Sequence, residues 1–311
     1  PYSSAPSLNR TAYSAESSWS LATWVAYDGG FFKKYGLDVD LILIRSAVTI
    51  TSALIAGETP MIQLGGNGTI QAALQGADTV NVQTLVPIIP QSLVVTPDIK
   101  TGDDLRGKRF GVSRFGALSD LVIRRYMRKF GLDPAKDVKT IQSGGVPENL
   151  VLMQQGRVKG SLLSSPTLER ALEMGFKELL NLADIKFRYP ATTISTTEAF
   201  IKSRPQTLNR FLKATLEGIK YAKTNPDFTI KVLGKYTRIS DLKLLSSAFR
   251  TYVLGYIRDV PTVSSAEVET ALEEIAARNP KARGLDPKQF YDSAPLEKLA
   301  REGFIRQLQS R

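Results

Sequence analysis

The alternation of helix and strand patterns in residues 24–67 restricts the fold more than any other feature of the chain. A helix pattern ends at Gly36, where a glycine commonly follows a helix. Residues 41–44 (LILI) form a short apolar run, as expected for a strand buried on both faces of a parallel sheet. The next segments predict a helix, a strand and a turn into another helix: residues 46–56, 61–64 and 65–69. This alternation predicts an open α/β sheet, which binds ligands at the carboxyl ends of its strands.

The absence of two residue types excludes most enzyme chemistry. The 311 residues include no His and no Cys. Nucleophilic catalysis by Ser-His-Asp or Cys-His groups, thiolate chemistry, disulfides and almost all zinc sites are therefore excluded. An enzyme based on carboxylates or lysine stays open, although the usual acid–base residue is missing. We expect no catalytic residue, no metal site and no cofactor.

The charge balance is basic. Lys and Arg number 41 and Asp and Glu 30, which gives a net charge of +11. Such a charge could favour nucleic acid, a membrane surface or an anionic ligand. The densest basic group, residues 124–129 (RRYMRK), lies inside an amphipathic helix pattern, which favours a solvated helix face over a nucleic-acid patch. We therefore expect no nucleic-acid partner, and no run of 18 apolar residues predicts a transmembrane helix.

The pattern along the chain predicts two α/β cycles followed by a helical region. In the first cycle we predict strands at residues 8–12, 38–44, 61–64 and 80–86, with helices at 17–35, 48–56 and 69–75. In the second cycle residues 105–112 run from a turn into a strand at 110–112. Further strands are predicted at 138–141 and 160–163, with helices at 119–130, 146–155 and 164–174. Residues 198–309 predict almost only helices. Two β-rich stretches, residues 91–95 and 191–196, are expected to cross between two lobes.

Several motifs, in this order and spacing, resemble the solute-binding proteins of ABC importers. The motifs are residues 29–39 (GGFFKKYGLDV), 53–58 (ALIAGE), 105–112 (LRGKRFGV) and 152–160 (LMQQGRVKG). The chain is similar to the branch that binds sulfonates, taurine, nitrate and thiamine precursors, which is NMT1/THI5-like. The resemblance covers roughly residues 8–279, and the motifs are specific as an ordered set rather than singly.

This resemblance implies the two-lobe periplasmic-binding-protein type II fold, of class α/β, with open, mostly parallel sheets and a ligand cleft between the lobes. Lobe one is expected at residues 1–92 plus 194–311 and lobe two at 93–193. The implied partners are a small-molecule ligand and an ABC transporter permease. The implied location is periplasmic or extracytoplasmic, and the protein would be a monomer held near the membrane by the permease or a lipid anchor. The polar first residues (PYSSAP), without an initiator Met, are compatible with removal of an export leader.

The turns that follow the predicted strands supply candidate ligand-binding residues, because helix N-termini there offer free N–H groups and a positive dipole. Arg114 and Arg45 could bind an anionic group, Trp19 and Phe115 could stack on an aromatic ligand, and Glu16 could meet a cationic group. The other candidates are small or polar residues of the same turns, and Tyr13: Ser46, Gly66, Asn67, Gly116, Ala117, Gly145, Ser164 and Ser165. Each also has a structural interpretation, as a turn residue, a surface ion pair, a core aromatic or a carboxylate in a helix's first turn.

We expect a transport protein that captures a small organic ligand, anionic and aromatic in character, without covalent chemistry. The main alternative is a biosynthetic enzyme of the thiamine-precursor (pyrimidine) type. That enzyme shares the fold but relies on His and Cys, which this chain lacks. A ligand-sensing regulatory domain would need a fused DNA-binding or signalling module, for which the sequence shows no pattern. A basic nucleic-acid binder is the third alternative.

Overall fold

The structure is a computed structural model that describes residues 10–116, 118–185 and 187–310. The chain divides into two compact units. Unit one comprises Pro1–Ile88, Arg188–Asp241 and Tyr252–Arg311, and unit two comprises Ile89–Phe187 and Leu242–Thr251. The chain leaves unit one after residue 88 and returns to it after residue 187. Unit two also includes residues 242–251. The lobe limits expected from the sequence, after residues 92 and 193, stay a prediction.

The elements of the two units alternate as an α/β protein requires. The strands are β1 (Arg10–Tyr13), β2 (Asp40–Leu43), β3 (Met61–Leu64), β4 (Thr79–Ile88), β5 (Ser92–Val95), β6 (Arg109–Val112), β7 (Lys139–Gln142), β8 (Gly160–Leu163), β9 (Lys177–Asn181) and β10 (Arg188–Thr197). The helices of the two α/β cycles are α1 (Leu21–Asp28), α2 (Phe31–Lys34), α3 (Ala47–Ile55), α4 (Gly66–Ala73), α5 (Leu118–Lys129), α6 (Val146–Gln154) and α7 (Thr167–Glu173).

The region after β10 is helical, as predicted. Its α-helices are α8 (Glu198–Ser203), α9 (Pro205–Thr224), α10 (Pro226–Thr237), α11 (Leu242–Ala248), α12 (Ser265–Ala276), α13 (Ala294–Arg301) and α14 (Phe304–Gln309). A π-helix covers Phe249–Leu254. Short 3₁₀ helices occur here and in the α/β cycles, at Ser18–Ser20, Asp103–Leu105, Leu182–Ile185, Pro280–Ala282 and Pro287–Phe290.

Each unit contains one five-stranded sheet, and the two sheets have equivalent strand orders. Sheet one, in unit one, has the order β2-β1-β3-β10-β4, and sheet two, in unit two, has the order β7-β6-β8-β5-β9. In sheet one β10 is antiparallel to both of its neighbours, and in sheet two β5 is antiparallel to both of its neighbours. The remaining pairs are parallel. The predicted α/β class with open, mostly parallel sheets is therefore confirmed.

The antiparallel strand of each sheet comes from one of the stretches predicted to cross between lobes. Residues 91–95 correspond to β5, and residues 191–196 fall inside β10. Hydrophobic clusters lie beside the parallel strands: Ala12, Ile50, Leu54, Ile62 and Leu64 in unit one, and Val94, Leu150, Met153, Val158, Leu163 and Ala171 in unit two. In each cluster, apolar side chains of the helices pack against apolar side chains of the strands, so the helices cover the sheet.

Three sequence predictions differ from the structure. The single helix expected at residues 17–35 is divided, because Gly30 adopts a φ of +73° and separates α1 from α2. Strand β9 was not predicted, because its residues (KELLN) are a charged and mixed set with weak strand preference. Helix α7 begins at Thr167, three residues after the predicted start at residue 164, and Pro166 is its N-cap. Residues 8 and 9 of the first predicted strand lie outside the described residues.

Candidate functional site

The strand order of each sheet marks one carboxyl edge as the expected binding position. In sheet one the chain passes from β1 to β2 on one side and then returns to β3 on the other side. In sheet two β6, β7 and β8 repeat this reversal. Ligands of open α/β sheets bind outside the carboxyl ends of the strands where the order reverses. The turns after β1, β2 and β3 are therefore the candidate half-site of unit one, and the turns after β6, β7 and β8 are that of unit two.

The half-site of unit one contains an ion pair between a glutamate and an arginine. Glu16 follows β1 and Arg45 follows β2, and the two side chains form an ion pair, in which Arg45 Nε lies 3.0 Å from Glu16 Oε2. The Arg45 side chain is 56% exposed and the Glu16 side chain is 24% exposed. The guanidinium charge of Arg45 is therefore largely compensated within the unit. The adjacent Ser46 is the N-cap of α3, where its hydroxyl accepts a hydrogen bond from Thr49 N at 3.3 Å.

Trp19 is held by a buried side chain from a neighbouring strand. It lies in the 3₁₀ helix Ser18–Ser20 after β1, and its carbonyl accepts a hydrogen bond from Gln63 Nε2. Thr23 Oγ1 in turn donates to Gln63 Oε1, and Gln63 is buried. The neighbouring Ser18 is fully buried, and its hydroxyl has no hydrogen-bond partner among the described residues. The hydrogen bond from Gln63 therefore fixes this turn, and the Ser18 hydroxyl is left without a described partner.

The glycine turn after β3 packs against β10. A Cβ atom on Gly66 would lie 2.9 Å from Thr193 Cγ2 and 3.1 Å from Pro190 O. Asn67, next along the turn, is buried. Close approach of the first turn of α4 to strand β10 therefore explains the glycine without a ligand.

Tyr13, the last residue of β1, belongs to an aromatic cluster. Its ring lies 5.7 Å from the Trp24 ring and 6.4 Å from the Tyr236 ring, both edge-on, and Trp24 stacks on Tyr236 at 4.5 Å. Burial and the nearby Glu16 carboxylate raise the pKa of the Tyr13 phenol. The phenol stays neutral at physiological pH, and the ring packs mainly within the unit.

The half-site of unit two carries an uncompensated cation and an exposed aromatic ring. Arg114 follows β6, is exposed, and forms no ion pair within the described part of the chain. Phe115 is 60% exposed, and its backbone N–H donates to Gln142 Oε1 at 3.1 Å. Gly116 adopts a φ of +78°, and its N–H donates to Asp120 Oδ2 at 2.9 Å. The backbone of this turn is therefore fixed while two large side chains remain accessible.

The turn after β8 contains two buried serines, and only one of them has a hydrogen-bond partner for its hydroxyl among the described residues. The Ser165 hydroxyl donates to Glu169 Oε1 at 2.5 Å. Burial, together with the charges of Glu178 and Glu173, raises the pKa of the Glu169 carboxyl. The Ser164 hydroxyl is fully buried, with no hydrogen-bond partner among residues 10–116, 118–185 and 187–310. Ser164 is therefore an available donor at this edge, whereas Ser165 is already occupied.

Gly145 is the N-cap of α6 and has an extended backbone. Its carbonyl accepts a hydrogen bond from the Ser143 hydroxyl at 3.1 Å, which fixes the turn after β7. This turn belongs to the same edge of sheet two as Arg114.

Sequence comparison assigns the family. The sequence profile described as NMT1/THI5 like matches residues 20–229. The chain belongs to the NMT1/THI5-like family.

The relatives of this NMT1/THI5-like chain include proteins named for binding. The putative binding protein YtlA of Bacillus subtilis is 24% identical over 207 residues, which cover 65% of this chain and 62% of YtlA. The taurine-binding periplasmic protein of Escherichia coli is 24% identical over 239 residues, 74% of this chain and 71% of that protein. The chain thus spans less than two thirds of YtlA's own length. The resemblance expected from the sequence is confirmed at the level of the family.

Solved structures share the fold of this family member. The periplasmic aliphatic sulphonate binding protein SsuA of Escherichia coli aligns with a TM-score of 0.75 at 18% sequence identity, covering 93% of this chain and 92% of SsuA. At this identity the likeness establishes the fold alone.

The structure places the predicted residues of this NMT1/THI5-like chain at the carboxyl edges of the two sheets. Tyr13, Glu16, Trp19, Arg45, Ser46, Gly66 and Asn67 lie in unit one; Arg114, Phe115, Gly116, Gly145, Ser164 and Ser165 lie in unit two. Ala117 lies outside the described residues. Their contact with a ligand stays a prediction.

Sequence reasoning missed the polar residues that hold these turns. Gln63 and Gln142 lie within strands, and Asp120 and Glu169 lie in the first turns of helices. A carboxylate at a helix start four residues after a turn glycine or serine is a usable signal for Asp120 and Glu169. Gln63 and Gln142 carried no such signal.

No group of three or more His, Cys, Asp or Glu side chains is arranged to hold a metal ion in the part of the chain that the structure describes. Across that same part, no helix combines the length and apolar character needed to cross a membrane.

Proposed function

We propose that this chain is an extracytoplasmic solute-binding protein that captures a small organic molecule for an ABC importer. The observation that carries the proposal is the pair of equivalent carboxyl edges, each bearing small turn residues, helix starts and an unsatisfied buried hydroxyl. Family membership and the names of the relatives support it. The protein would work as a monomer and pass its ligand to a permease.

The proposed mechanism is capture by two lobes that close on the ligand. Because each half-site supplies only part of the contacts, a ligand that touches both would stabilise the closed state over the open one. Ser18 in unit one and Ser164 in unit two, whose hydroxyls have no hydrogen-bond partner among the described residues, would each donate a hydrogen bond to the ligand. Binding would involve no covalent step.

The charges of the half-sites favour an anionic ligand. In unit one the Glu16–Arg45 pair is self-compensating, so this edge contributes little net charge. In unit two Arg114 has no described carboxylate partner, and a guanidinium binds a carboxylate or sulfonate through two parallel hydrogen bonds. The exposed face of Phe115 beside Arg114 suits a ring or an apolar tail. We infer that the ligand is a small organic acid with an apolar or aromatic portion.

A thermal-shift screen tests this function. The compounds are alkanesulfonates, taurine, nitrate, aliphatic and aromatic carboxylates, pyrimidines and flavins, each at several concentrations. A compound at 100 times its dissociation constant should stabilise the protein by about 2.7 kcal/mol. The same compounds are incubated with the protein and analysed by mass spectrometry, and we expect them to be recovered unchanged.

The matched control is Arg114→Gln, which removes the proposed anion contact and leaves the unit's core untouched. An organic acid should stabilise the unaltered chain and stabilise this variant less. Chemical conversion of a stabilising compound would contradict the proposal and favour an enzyme of the same fold. Stabilisation only by cationic compounds would contradict the proposed ligand class.

A further inference from the structure

The amino edge of sheet two carries a row of cations in register. Arg109 and Lys139 begin the neighbouring parallel strands β6 and β7 and are direct Cα partners. On the other side Phe110 lies opposite Gly160, which places Lys159 beside Arg109, and Lys159 N donates to Arg109 O at 2.8 Å. Residues at one register position on adjacent strands have side chains on the same face. We call Lys139, Arg109 and Lys159 the cationic row.

Two more cations flank the cationic row. Lys108 directly precedes β6, and its carbonyl accepts a hydrogen bond from Lys139 N at 3.1 Å. Arg157 follows α6 and is exposed. Like charges placed opposite each other on neighbouring strands lower the stability of a sheet. Repulsion within the cationic row therefore lowers the stability of sheet two, and the fold does not require cations at these positions.

Three of the carboxylates near the cationic row are already engaged, whereas Glu173 at the end of α7 is exposed. Lys159 pairs with Asp98 at 2.9 Å and Arg106 pairs with Asp137 at 2.7 Å. Asp104 accepts hydrogen bonds from the backbone N–H groups of Lys100 and Thr101. Among the residues that the structure describes, no carboxylate forms an ion pair with the remaining four cations: Lys108, Arg109, Lys139 and Arg157. Of these, only Arg157 follows a helix C-terminus, where a cation is expected for the helix dipole.

Sheet one provides an internal comparison at the same positions. In it, Arg10 lies opposite Asp40, and Thr11 lies opposite Met61, which places Pro60 beside Arg10. Because the strand orders and registers are equivalent, Arg10, Asp40 and Pro60 correspond to Arg109, Lys139 and Lys159. The same backbone arrangement thus holds an opposite-charge pair in unit one and like charges in unit two.

Exposed aliphatic side chains lie at the same edge of unit two. Leu172 and Met174, at the end of α7, are 39% and 46% exposed. Gln154, at the end of α6, donates its Nε2 to Met174 Sδ at 3.5 Å, and Arg157 lies three residues further along. Aliphatic side chains beside cations match the headgroup region of an anionic lipid surface. Single-stranded nucleic acid is instead bound by stacking on aromatic side chains, and this edge exposes no large aromatic ring within the described residues.

We propose that the amino edge of sheet two, through Lys108, Arg109, Lys139 and Arg157, docks on the anionic surface of a lipid membrane. The proposal takes from the proposed function only that the protein works beside a membrane. The contact is electrostatic and reversible, with Leu172 and Met174 at its apolar margin. It would keep a basic binding protein near the bilayer that holds its transporter.

The experiment is sedimentation of the full chain with vesicles of phosphatidylglycerol and phosphatidylcholine, and with vesicles of phosphatidylcholine alone. We expect binding only to the anionic vesicles, weakening between 50 mM and 500 mM salt because exposed charges are screened. Each cation near an anionic surface is worth about fivefold in affinity. The variant K108Q/R109Q/K139Q/R157Q should therefore bind about 600-fold more weakly.

A single substitution keeps the test independent of any folding defect. Lys139→Asp copies the arrangement of sheet one, where Arg10 faces Asp40, and should weaken vesicle binding about 25-fold without loss of folding. The matched control K33Q/K231Q/R283Q/K288Q removes the same charge from exposed cations of unit one that have no ion pair among the described residues. It should change binding less than threefold.

Three outcomes would overturn the docking proposal. They are equal binding to neutral and anionic vesicles, an equal loss in the control variant, and tighter binding of the edge to a single-stranded oligonucleotide than to anionic vesicles. Vesicle binding needs no solute and no permease. A failure here together with ligand stabilisation in the thermal screen would leave the proposed transport function standing.

Discussion

The two sheets of this protein share one strand order and one register, yet their edges carry different charges. At the amino edge, an Arg–Asp pair in sheet one corresponds to an Arg–Lys pair in sheet two. At the carboxyl edge, the arginine of unit one is paired with Glu16, whereas Arg114 of unit two has no described carboxylate partner. The backbone therefore decides where an edge lies, and individual side chains decide what that edge can bind. In unit two both edges carry cations that form no ion pair among the described residues.

In both units a glycine packs closely against the antiparallel strand of the sheet. We expect the largest loss of stability when such a glycine is replaced. Gly160 of β8 lies against β5, and a Cβ atom there would lie 2.9 Å from Val94 O and 2.9 Å from Phe110 Cε1. Gly160→Val should lower the free energy of unfolding by about 3 kcal/mol, because neither the backbone carbonyl nor the buried ring can move away. Urea denaturation measures the loss.

The control for this substitution is Lys177→Val, which adds a β-branched side chain at the exposed start of β9. It should change stability by less than about 0.5 kcal/mol. A Gly160→Val protein as stable as the unaltered chain would show that sheet two tolerates a side chain where β5 packs.

The next effect separates the two carboxyl edges. Arg114→Gln should weaken binding of an organic acid about tenfold, or about 1.4 kcal/mol, because it removes an uncompensated cation. Arg45→Gln should weaken binding less than threefold, because Arg45 is already paired with Glu16. Isothermal titration of both variants with the best compound from the screen measures the difference. Equal losses would mean that the ligand displaces Glu16 from Arg45, and the two edges would then act alike.

A smaller effect tests whether Ser46 caps a helix or binds ligand. The Ser46 hydroxyl accepts from Thr49 N at the start of α3, so Ser46→Ala should cost about 1 kcal/mol of stability. Ser46→Asp should restore that stability, because aspartate is also a good N-cap. A loss of ligand affinity in both variants, with stability unchanged in the alanine variant, would assign Ser46 to the ligand instead. The corresponding helix start in unit two, at Gly145, has no side-chain cap.

The last comparison concerns buried carboxylates, whose surroundings differ between the two units. In unit two burial raises the pKa of Glu169, so the fold favours its protonated form. The stability that Glu169 contributes is present below its ordinary pKa and is lost as the pH rises through the raised value. Glu169→Gln should therefore raise the melting temperature at neutral pH and leave it nearly unchanged in acid.

The contrasting residue in unit one is Glu267, which is fully buried and pairs with Arg258 at 2.6 Å. Glu267→Gln should lower stability at neutral pH, because it leaves the Arg258 charge without its partner. Melting temperatures of both variants from pH 4 to pH 8 check the opposite signs. A Glu169→Gln protein that melts lower than the unaltered chain at neutral pH would show that its carboxylate is stabilising.

Local patterns in the sequence were sufficient for most of the fold. The apolar runs of β2 and β3, the second α/β cycle and the helical region after β10 were predicted, because each has a clear periodicity. Strand β9 was missed because its strand character comes from pairing with β5. The bridge between Asn81 and Tyr291 joins residues too far apart in sequence for any local pattern.

The candidate site was predictable in position but less so in detail. Strand ends located the turns that carry Arg114 and Ser164, since carboxyl ends of parallel strands share an edge. The sequence could not show that Arg45 would be compensated by Glu16, because that depends on side-chain conformations. It also could not separate Ser164, whose hydroxyl has no described partner, from Ser165, which is bonded to Glu169.

The place of β10 inside sheet one has a consequence for synthesis of the chain. All strands of sheet two lie within residues 92–181, whereas β3 and β4 of sheet one are separated by a strand that ends at Thr197. A growing chain that has reached residue 181 can complete sheet two but leaves unpaired backbone groups along β3 and β4. Such open strands invite pairing with other chains. Sheet one therefore cannot close until residues 188–197 have been synthesised, because β10 is the strand that joins β3 to β4.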